Sequence, residues 1–321
     1  MKHDKSFAHS EQININNSSQ WVLIRGKNIE APLLIHVQAG PGLPIISEAD
    51  ELEKKLHLEN NFLVAYWDQR GVGKSFGKSV LPETITLAQM AEDILSCTRY
   101  LLQKYNKDKA ILVGYSIGAT ISLMAAAKDP GIFRVLFLAG TDVDIPYANR
   151  YMLDFAMNKA VAVNNKRLIQ EISELKKTPI VQAKIFQRRG KILTNLGGIR
   201  SGMSYSSLVI TTVKNIVFSR FYGVGGLIKT MKGMAFCQDA LLPELDSLDL
   251  FQNVTRVQVP VHFLQGRLDA VAPLSRGREY YDQLEAVGKT FTVFERSAHM
   301  PHYEEPGKFS GLILSVLGHQ S

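Results

Sequence analysis

Ala110-Ile111-Leu112-Val113-Gly114-Tyr115-Ser116-Ile117-Gly118-Ala119-Thr120-Ile121 is the stretch on which the reading of this 321-residue chain turns. Four apolar residues closed by a glycine read as a buried strand. The small and apolar residues from Ile117 to Lys128 read as a helix, stopped by Asp129-Pro130-Gly131. Between them, Gly114-Tyr115-Ser116-Ile117-Gly118 has the Gly-x-Ser-x-Gly spacing of a sharp strand-to-helix turn that presents its serine at the tip. The positions two before and two after must be small, because a larger side chain would collide across the turn. The helix start then aims amide groups and a favourable dipole at developing negative charge. Residues 110–127 are nearly uncharged and almost long enough to span a bilayer. The glycines in the middle favour a strand, a turn and a helix over a membrane span.

Outward from this turn, strand-like runs recur at Trp21–Arg25, Leu33–Val37, Phe62–Trp67, Val135–Ala139, Val261–Gln265 and Thr290–Phe294. Helical patterns lie between them. Ser47–Leu58 opens with a serine in cap position and acids in its first turn, and Thr86–Tyr105 places Leu87, Met90, Ala91, Ile94, Thr98, Leu101 and Leu102 on one face. Alternating strands and helices predict βαβ crossovers and a mainly parallel central sheet flanked by helices. The alternation stops between about Pro146 and Leu245 and resumes at Val261. An all-helical insertion is the simplest account, giving a core over 1–145, a helical lid over 146–245 inserted after the sixth strand, and the rest of the core over 246–321.

A serine is a poor nucleophile without a neighbouring base. In the α/β-hydrolase fold the acid and the base follow later strands, in the order Ser, Asp, His. Gly266-Arg267-Leu268-Asp269 directly follows the strand ending at Gln265, and Ser297-Ala298-His299 directly follows the strand ending at Phe294. The expected catalytic residues are therefore Ser116, Asp269 and His299. His302 competes for the base, and Asp142 and Asp144 compete for the acid. An oxyanion hole needs two backbone donors. Ile117 is one candidate; Gly40, with Ala39 as alternative, is the other, in the loop Gln38-Ala39-Gly40-Pro41-Gly42-Leu43-Pro44. No metal or organic cofactor is expected. Gly71-Val72-Gly73-Lys74-Ser75 mimics the end of a phosphate loop, but Asp68 stands where that motif needs its first glycine.

Asp68-Gln69-Arg70-Gly71-Val72-Gly73-Lys74-Ser75, Ala39-Gly40-Pro41-Gly42, the serine turn, Gly-Arg-Leu-Asp and the final Ala-His together resemble the proline iminopeptidase group of α/β hydrolases, over about residues 38–306 without the lid. The resemblance implies a serine hydrolase in which Asp68 and Arg70 brace the oxyanion loop. It also implies that lid acids hold the free amine of the substrate. This chain departs at Gln38-Ala39, Ile117 and Ala298, where the group usually has His-Gly, Trp and Gly.

Composition bounds the rest. With 45% hydrophobic and 21% charged residues the chain reads as a globular protein, and two cysteines make no disulfide framework, which fits a cytoplasmic enzyme. The start, Met1 to Gln20, has no apolar core of signal-peptide length. The net charge is +7, yet residues 146–240 carry 15 Lys/Arg against 4 Asp/Glu. No nucleic-acid-binding signature accompanies that charge, so the expected partner is a small molecule or short peptide. The basic segment is either solvated surface or a steering field for anionic substrates. Its few acids include Glu171 and Glu174 at i, i+3, the candidates for an amine contact. So few acids predict that aryl esters are cleaved more readily than prolyl amides. A carbon–carbon bond hydrolase on the same three residues, or a non-catalytic binding protein, are the alternatives.

Overall fold

Runs of Val, Ile, Leu and aromatic residues form the strands, since branched side chains pack well on a pleated surface. The computed structural model describes residues 7–179 and 181–318; the outermost residues of the two expected core segments, 1–6 and 319–321, lie outside the described residues. The strands among the described residues are β1 (Phe7–Ile15), β2 (Ser18–Gly26), β3 (Leu33–Val37), β4 (Leu63–Asp68), β5 (Ala110–Tyr115), β6 (Phe133–Ala139), β7 (Arg256–Val257), β8 (Val261–Gly266), β9 (Glu285–Ala286) and β10 (Lys289–Phe294). Eight of them make one sheet in the order β1-β2-β4-β3-β5-β6-β8-β10, while β7 pairs with β9. β2 runs antiparallel to β1 and β4, and every other pair in the large sheet is parallel.

Strand β1 has no counterpart in the sequence expectations. Its residues, FAHSEQINI, are mostly polar and part-exposed because it is an edge strand. The signal for it is the turn: Asn16 and Asn17 both adopt positive φ, the two-residue hairpin geometry that asparagine tolerates. Counting β1, the strand before the long helical stretch is the sixth.

The helices are α1 (Ala49–Leu56), α2 (Leu87–Lys104), α3 (Ile117–Lys128), α4 (Ile145–Ala162), α5 (Lys166–Leu175), α6 (Ala183–Asn195), α7 (Tyr205–Phe218), α8 (Gly223–Leu245), α9 (Leu250–Asn253), α10 (Leu274–Gln283), α11 (Pro301–Glu304) and α12 (Pro306–Leu314). Thr86 caps α2 by accepting from the Gln89 amide at 3.1 Å. Ser47 does not cap α1: it sits inside a short 3₁₀ turn, and the cap residue is Glu48.

Both faces of the sheet are covered. Val22 and Ile24 of β2 join one apolar cluster with α2 and α3, while Leu23 between them joins another with α1 and α12. A third, smaller cluster gathers Met152, Ala156, Ile172 and Leu193 of α4, α5 and α6 with Ala270. Among the described residues no helix is long and apolar enough to cross a membrane.

The topology decides where a site forms. From β3 the chain passes to β4 on one side and then returns to β5 on the other. That reversal opens a crevice at the carboxyl ends of β3 and β5, the position where ligands bind in open α/β sheets.

Candidate active site

The backbone of Ser116 is strained. It adopts φ 53° and ψ −125° between β5 and α3, a conformation that costs a non-glycine residue about 1–3 kcal/mol. Its neighbours hold it there: its amide donates to Ala139 O of β6 at 2.8 Å, and its carbonyl accepts from Ala119 N at 2.8 Å. The flanking glycines are required by close approach. A Cβ on Gly118 would lie 2.2 Å from the Gln38 carbonyl oxygen, and one on Gly114 would lie 2.6 Å from Ala119 Cα. Helix α3 therefore starts in direct contact with the loop after β3.

Asp269 follows β8 and is almost fully buried. Its Oδ1 accepts from the amides of Val271 and Ala272 at 2.8 and 2.9 Å. Its Oδ2 accepts from Gln265 Nε2 at 2.8 Å and lies 2.9 Å from His299 Nδ1. Four contacts fix this carboxylate, and the last fixes the imidazole. Burial by itself would lower the pKa of His299; the charge and hydrogen bond of Asp269, with Asp142 and Glu304 beyond, outweigh it and raise the pKa to about 9.

The competitors have different places. His302 is buried against Tyr115, Tyr303 and Phe309, and its Nδ1 has no hydrogen-bond partner among the described residues. Burial holds its pKa well below the ordinary histidine value, reinforced by the charges of His36 and His299. Asp144 caps α4 and pairs with Arg276. Asp142 turns to the serine instead of the imidazole: its Oδ2 accepts from Ser116 Oγ at 3.0 Å. Burial raises the pKa of Asp142 to about 6, against the opposing pull of His299 and Ser116. In the resting arrangement the Ser116 hydroxyl is thus bonded to Asp142, a contact invisible to sequence spacing.

The loop after β3 completes the crevice. Gly40 and Ile117 line one small cavity with Ser116, and Ala39 borders both larger ones. Asp68 supports the chain just beyond this loop, accepting from the amides of Ile45, Ile46 and Lys74 at 3.0, 3.1 and 3.0 Å and from the Tyr222 hydroxyl. Arg70 instead grips both oxygens of Asp93 at 2.8 and 2.9 Å, tying the β4 loop to α2.

Two cavities meet at Ser116 and His299. One, about 140 Å³, is lined by Glu48, Glu51, Arg200, Asn215, His302 and Tyr303. Burial pushes the Glu48 pKa up to about 7; the Tyr303 hydroxyl bonded to it and the Arg200 charge oppose that shift, and Glu51 adds to it. Glu51 accepts from Asn215 Nδ2 at 2.6 Å. The other cavity, about 270 Å³, is mainly apolar, with Met152, Phe186, Leu193, Met234 and Val271 in its wall. Glu171 and Glu174 reach neither. Glu171 pairs with Arg188 at 2.7 Å and Glu174 faces solvent, because both sit on the outer side of α5 while Ile172 and Leu175 pack inward. The glutamates that line the smaller of these two cavities with Ser116 come from the segment before and within α1, where no motif marks them.

The chain matches the family described as alpha/beta hydrolase fold over residues 32–306. It is 29% identical, over 325 residues and 96% of each chain, to a protein of Bacillus subtilis (strain 168) named probable aminopeptidase YbaC. Two solved structures share its architecture. A proline iminopeptidase-related protein from Thermus thermophilus gives a TM-score of 0.60 at 17% identity, covering 97% of this chain and 98% of that one. An esterase from Exiguobacterium antarcticum gives 0.64 at 18%, covering 96% and 98%.

Proposed function

The chain belongs to the alpha/beta hydrolase fold family, and we propose that it is a serine hydrolase cleaving acyl bonds beside a substrate ammonium group, with Ser116 as nucleophile, His299 as base and Asp269 as orienting acid. The observation that carries this reading is the convergence of Ser116 with the His299–Asp269 pair on two cavities that meet at the serine. Ser116 Oγ leaves Asp142, attacks the acyl carbon, and gives its proton to His299 Nε2. The tetrahedral oxyanion is held by the Ile117 and Gly40 amides. Collapse breaks the bond to the leaving amine or alcohol, which takes the proton from His299. Water then attacks the acyl-enzyme with His299 as base, releasing the acid and restoring Ser116. Residues 146–245 serve as the lid over this site, and 1–145 with 246–321 as its core.

Glu48 and Glu51 support the ammonium. A cation in a poorly solvated site needs an opposing charge. Two carboxylates at i, i+3 line the cavity that also holds Ser116, and Arg200 is the one permanent cation among its described lining residues. A bound ammonium would keep Glu48 ionised and relieve its repulsion with Glu51. The aminopeptidase name of the Bacillus relative accords with this; the proposal departs from the expectation that aryl esters are cleaved more readily than prolyl amides. The test compares alanyl p-nitroanilide with its N-acetyl counterpart. The free amine should be favoured by about ten- to a hundredfold in kcat/KM, the worth of one charged contact. Glu48→Gln should remove most of that preference through KM. Equal rates for the two substrates, unaffected by Glu48→Gln, would assign the enzyme to simple esters instead.

A further inference from the structure

Helix α6 turns one stripe toward the larger cavity: Phe186, Arg189, Gly190 and Leu193, at i, i+3, i+4 and i+7. A guanidinium in the middle of an apolar stripe calls for an account. Arg189 is only 5% exposed. Its Nη2 donates to the carbonyls of Leu175 and Thr178, at 3.1 and 2.7 Å, where α5 ends. Its Nε has no partner among the described residues. The contrast with its neighbour is direct: the more exposed Arg188 has Glu171 at 2.7 Å, whereas no described carboxylate forms an ion pair with Arg189. Asp246 acts on it only as a charge at a distance, and burial lowers its pKa. Asp239 is engaged by the Ala183 amide at 3.1 Å. Arginine stays charged in proteins, so this buried cation cannot escape by losing its proton. The carbonyls closing α5 offset part of the charge; an anion in the cavity would offset the rest.

We infer that Arg189 anchors a carboxylate of the substrate, separated from the scissile carbonyl by an apolar spacer. The inference rests on the acyl-hydrolase reading above. Ser116, His299 and Arg189 all line this cavity, with Met152, Leu193, Met234 and Val271 to receive the spacer. Beside Arg189 the wall is open, since a Cβ added to Gly190 would meet nothing within 4 Å. A carboxylate there would pair with the remaining guanidinium donors, since both Nη2 hydrogens are held by the Leu175 and Thr178 carbonyls. The carboxylate has two chemical sources. It is the free carboxyl end of a short peptide, when the leaving group occupies the cavity, or a second carboxyl on the acyl chain, when the acyl group does.

Two matched pairs separate these sources: alanyl-phenylalanine against alanyl-phenylalaninamide, and p-nitrophenyl hydrogen glutarate against p-nitrophenyl valerate. In one pair the carboxylate member should have kcat/KM at least about tenfold higher, mainly through KM, as expected for one charged hydrogen-bonded contact. Preference in the peptide pair places the carboxylate on the leaving group; preference in the ester pair places it on the acyl chain. Arg189→Met should abolish the preference and Arg189→Lys should retain part of it. The preference should persist at about 0.5 M salt, where steering by exposed charge is screened. Equal rates within both pairs, or a preference that survives Arg189→Met, overturn the anchor.

Should Arg189→Met not fold, calorimetry on the native protein decides. 4-Phenylbutyrate should bind and its amide should not, and equal behaviour of the two overturns the inference. Ser116→Ala should bind 4-phenylbutyrate as the native enzyme does, because no bond is made. Turnover that survives Ser116→Ala would defeat the underlying hydrolase reading; a Ser116-dependent enzyme indifferent to carboxylates would defeat only the anchor.

Discussion

The sheet core and the helical stretch from α4 to α8 hold their charge in opposite ways. In the core, polar groups are buried and committed: Asp68, Asp93 with Arg70, Asp142 and Asp269 all lie at 6% exposure or less. In the helical stretch the excess of Lys and Arg is largely exposed, with Lys176 on Asp154 and Arg188 on Glu171 as open surface pairs. Such pairs are worth little, because water and salt screen them. A charge count singles out the second region, but the proposed triad sits in the first. Arg189 is the exception, a buried charge in the wall of a cavity that the helical stretch shares with the core.

The most severe way to break this contrast is to remove the proposed nucleophile, Ser116. Ser116→Ala should lower kcat by a factor on the order of 10⁶, His299→Ala should come close to that, and the double variant should add little. Steady-state kinetics on one chromogenic substrate decide it, and turnover within tenfold of the native rate would move the chemistry elsewhere. Thermal unfolding of Ser116→Ala should stay near native, since only a hydroxyl is lost, whereas His299→Ala leaves the buried Asp269 carboxylate without its imidazole and should lower the midpoint.

A subtler probe keeps the triad and alters the charge beside it. The carboxylate of Asp142 helps to raise the His299 pKa, so neutralising it should lower that pKa. The free base is the reactive form, and activity rises as His299 loses its proton. In Asp142→Asn the acid limb of the kcat/KM profile should therefore move to lower pH, by about half a pH unit or more. An unmoved limb would mean that Asp142 is electrostatically silent at the base.

The smallest effect is expected in the helical stretch. Glu171→Gln removes a surface pair, worth under about 1 kcal/mol, and should leave kcat/KM for a free-amine substrate within about twofold. Parallel assays with Glu48→Gln sharpen the comparison, because that core carboxylate should cost far more. A large loss from Glu171→Gln would return amine recognition to the helical stretch.

Much of the fold and most of the candidate site were legible in the chain itself, and the reason is local. The serine turn must carry glycines at 114 and 118, because backbone from the turn's own helix and from the β3 loop occupies the space a side chain would need. Asp269 and His299 were legible because each directly follows a strand, and parallel strands bring their carboxyl ends to one edge. Helix α2 was readable from its period and its threonine cap. Strand β1 was not, because an edge strand with one face in water needs no apolar run.

What only the tertiary structure decided is every contact made across elements. Sequence spacing could not choose between Asp142 as a partner of His299 and Asp142 as a partner of Ser116. The loop after β6 and the loop after β10 meet only once the sheet is assembled. Nor could it tell that Glu48 and Glu51, not Glu171 and Glu174, line a cavity with Ser116, since which side of α5 faces outward depends on what α4 and α6 bury. The same holds for Arg189, one of many basic residues in its segment by sequence. Whether a charge is solvated or stranded is set by the walls around it, and those walls come from distant parts of the chain.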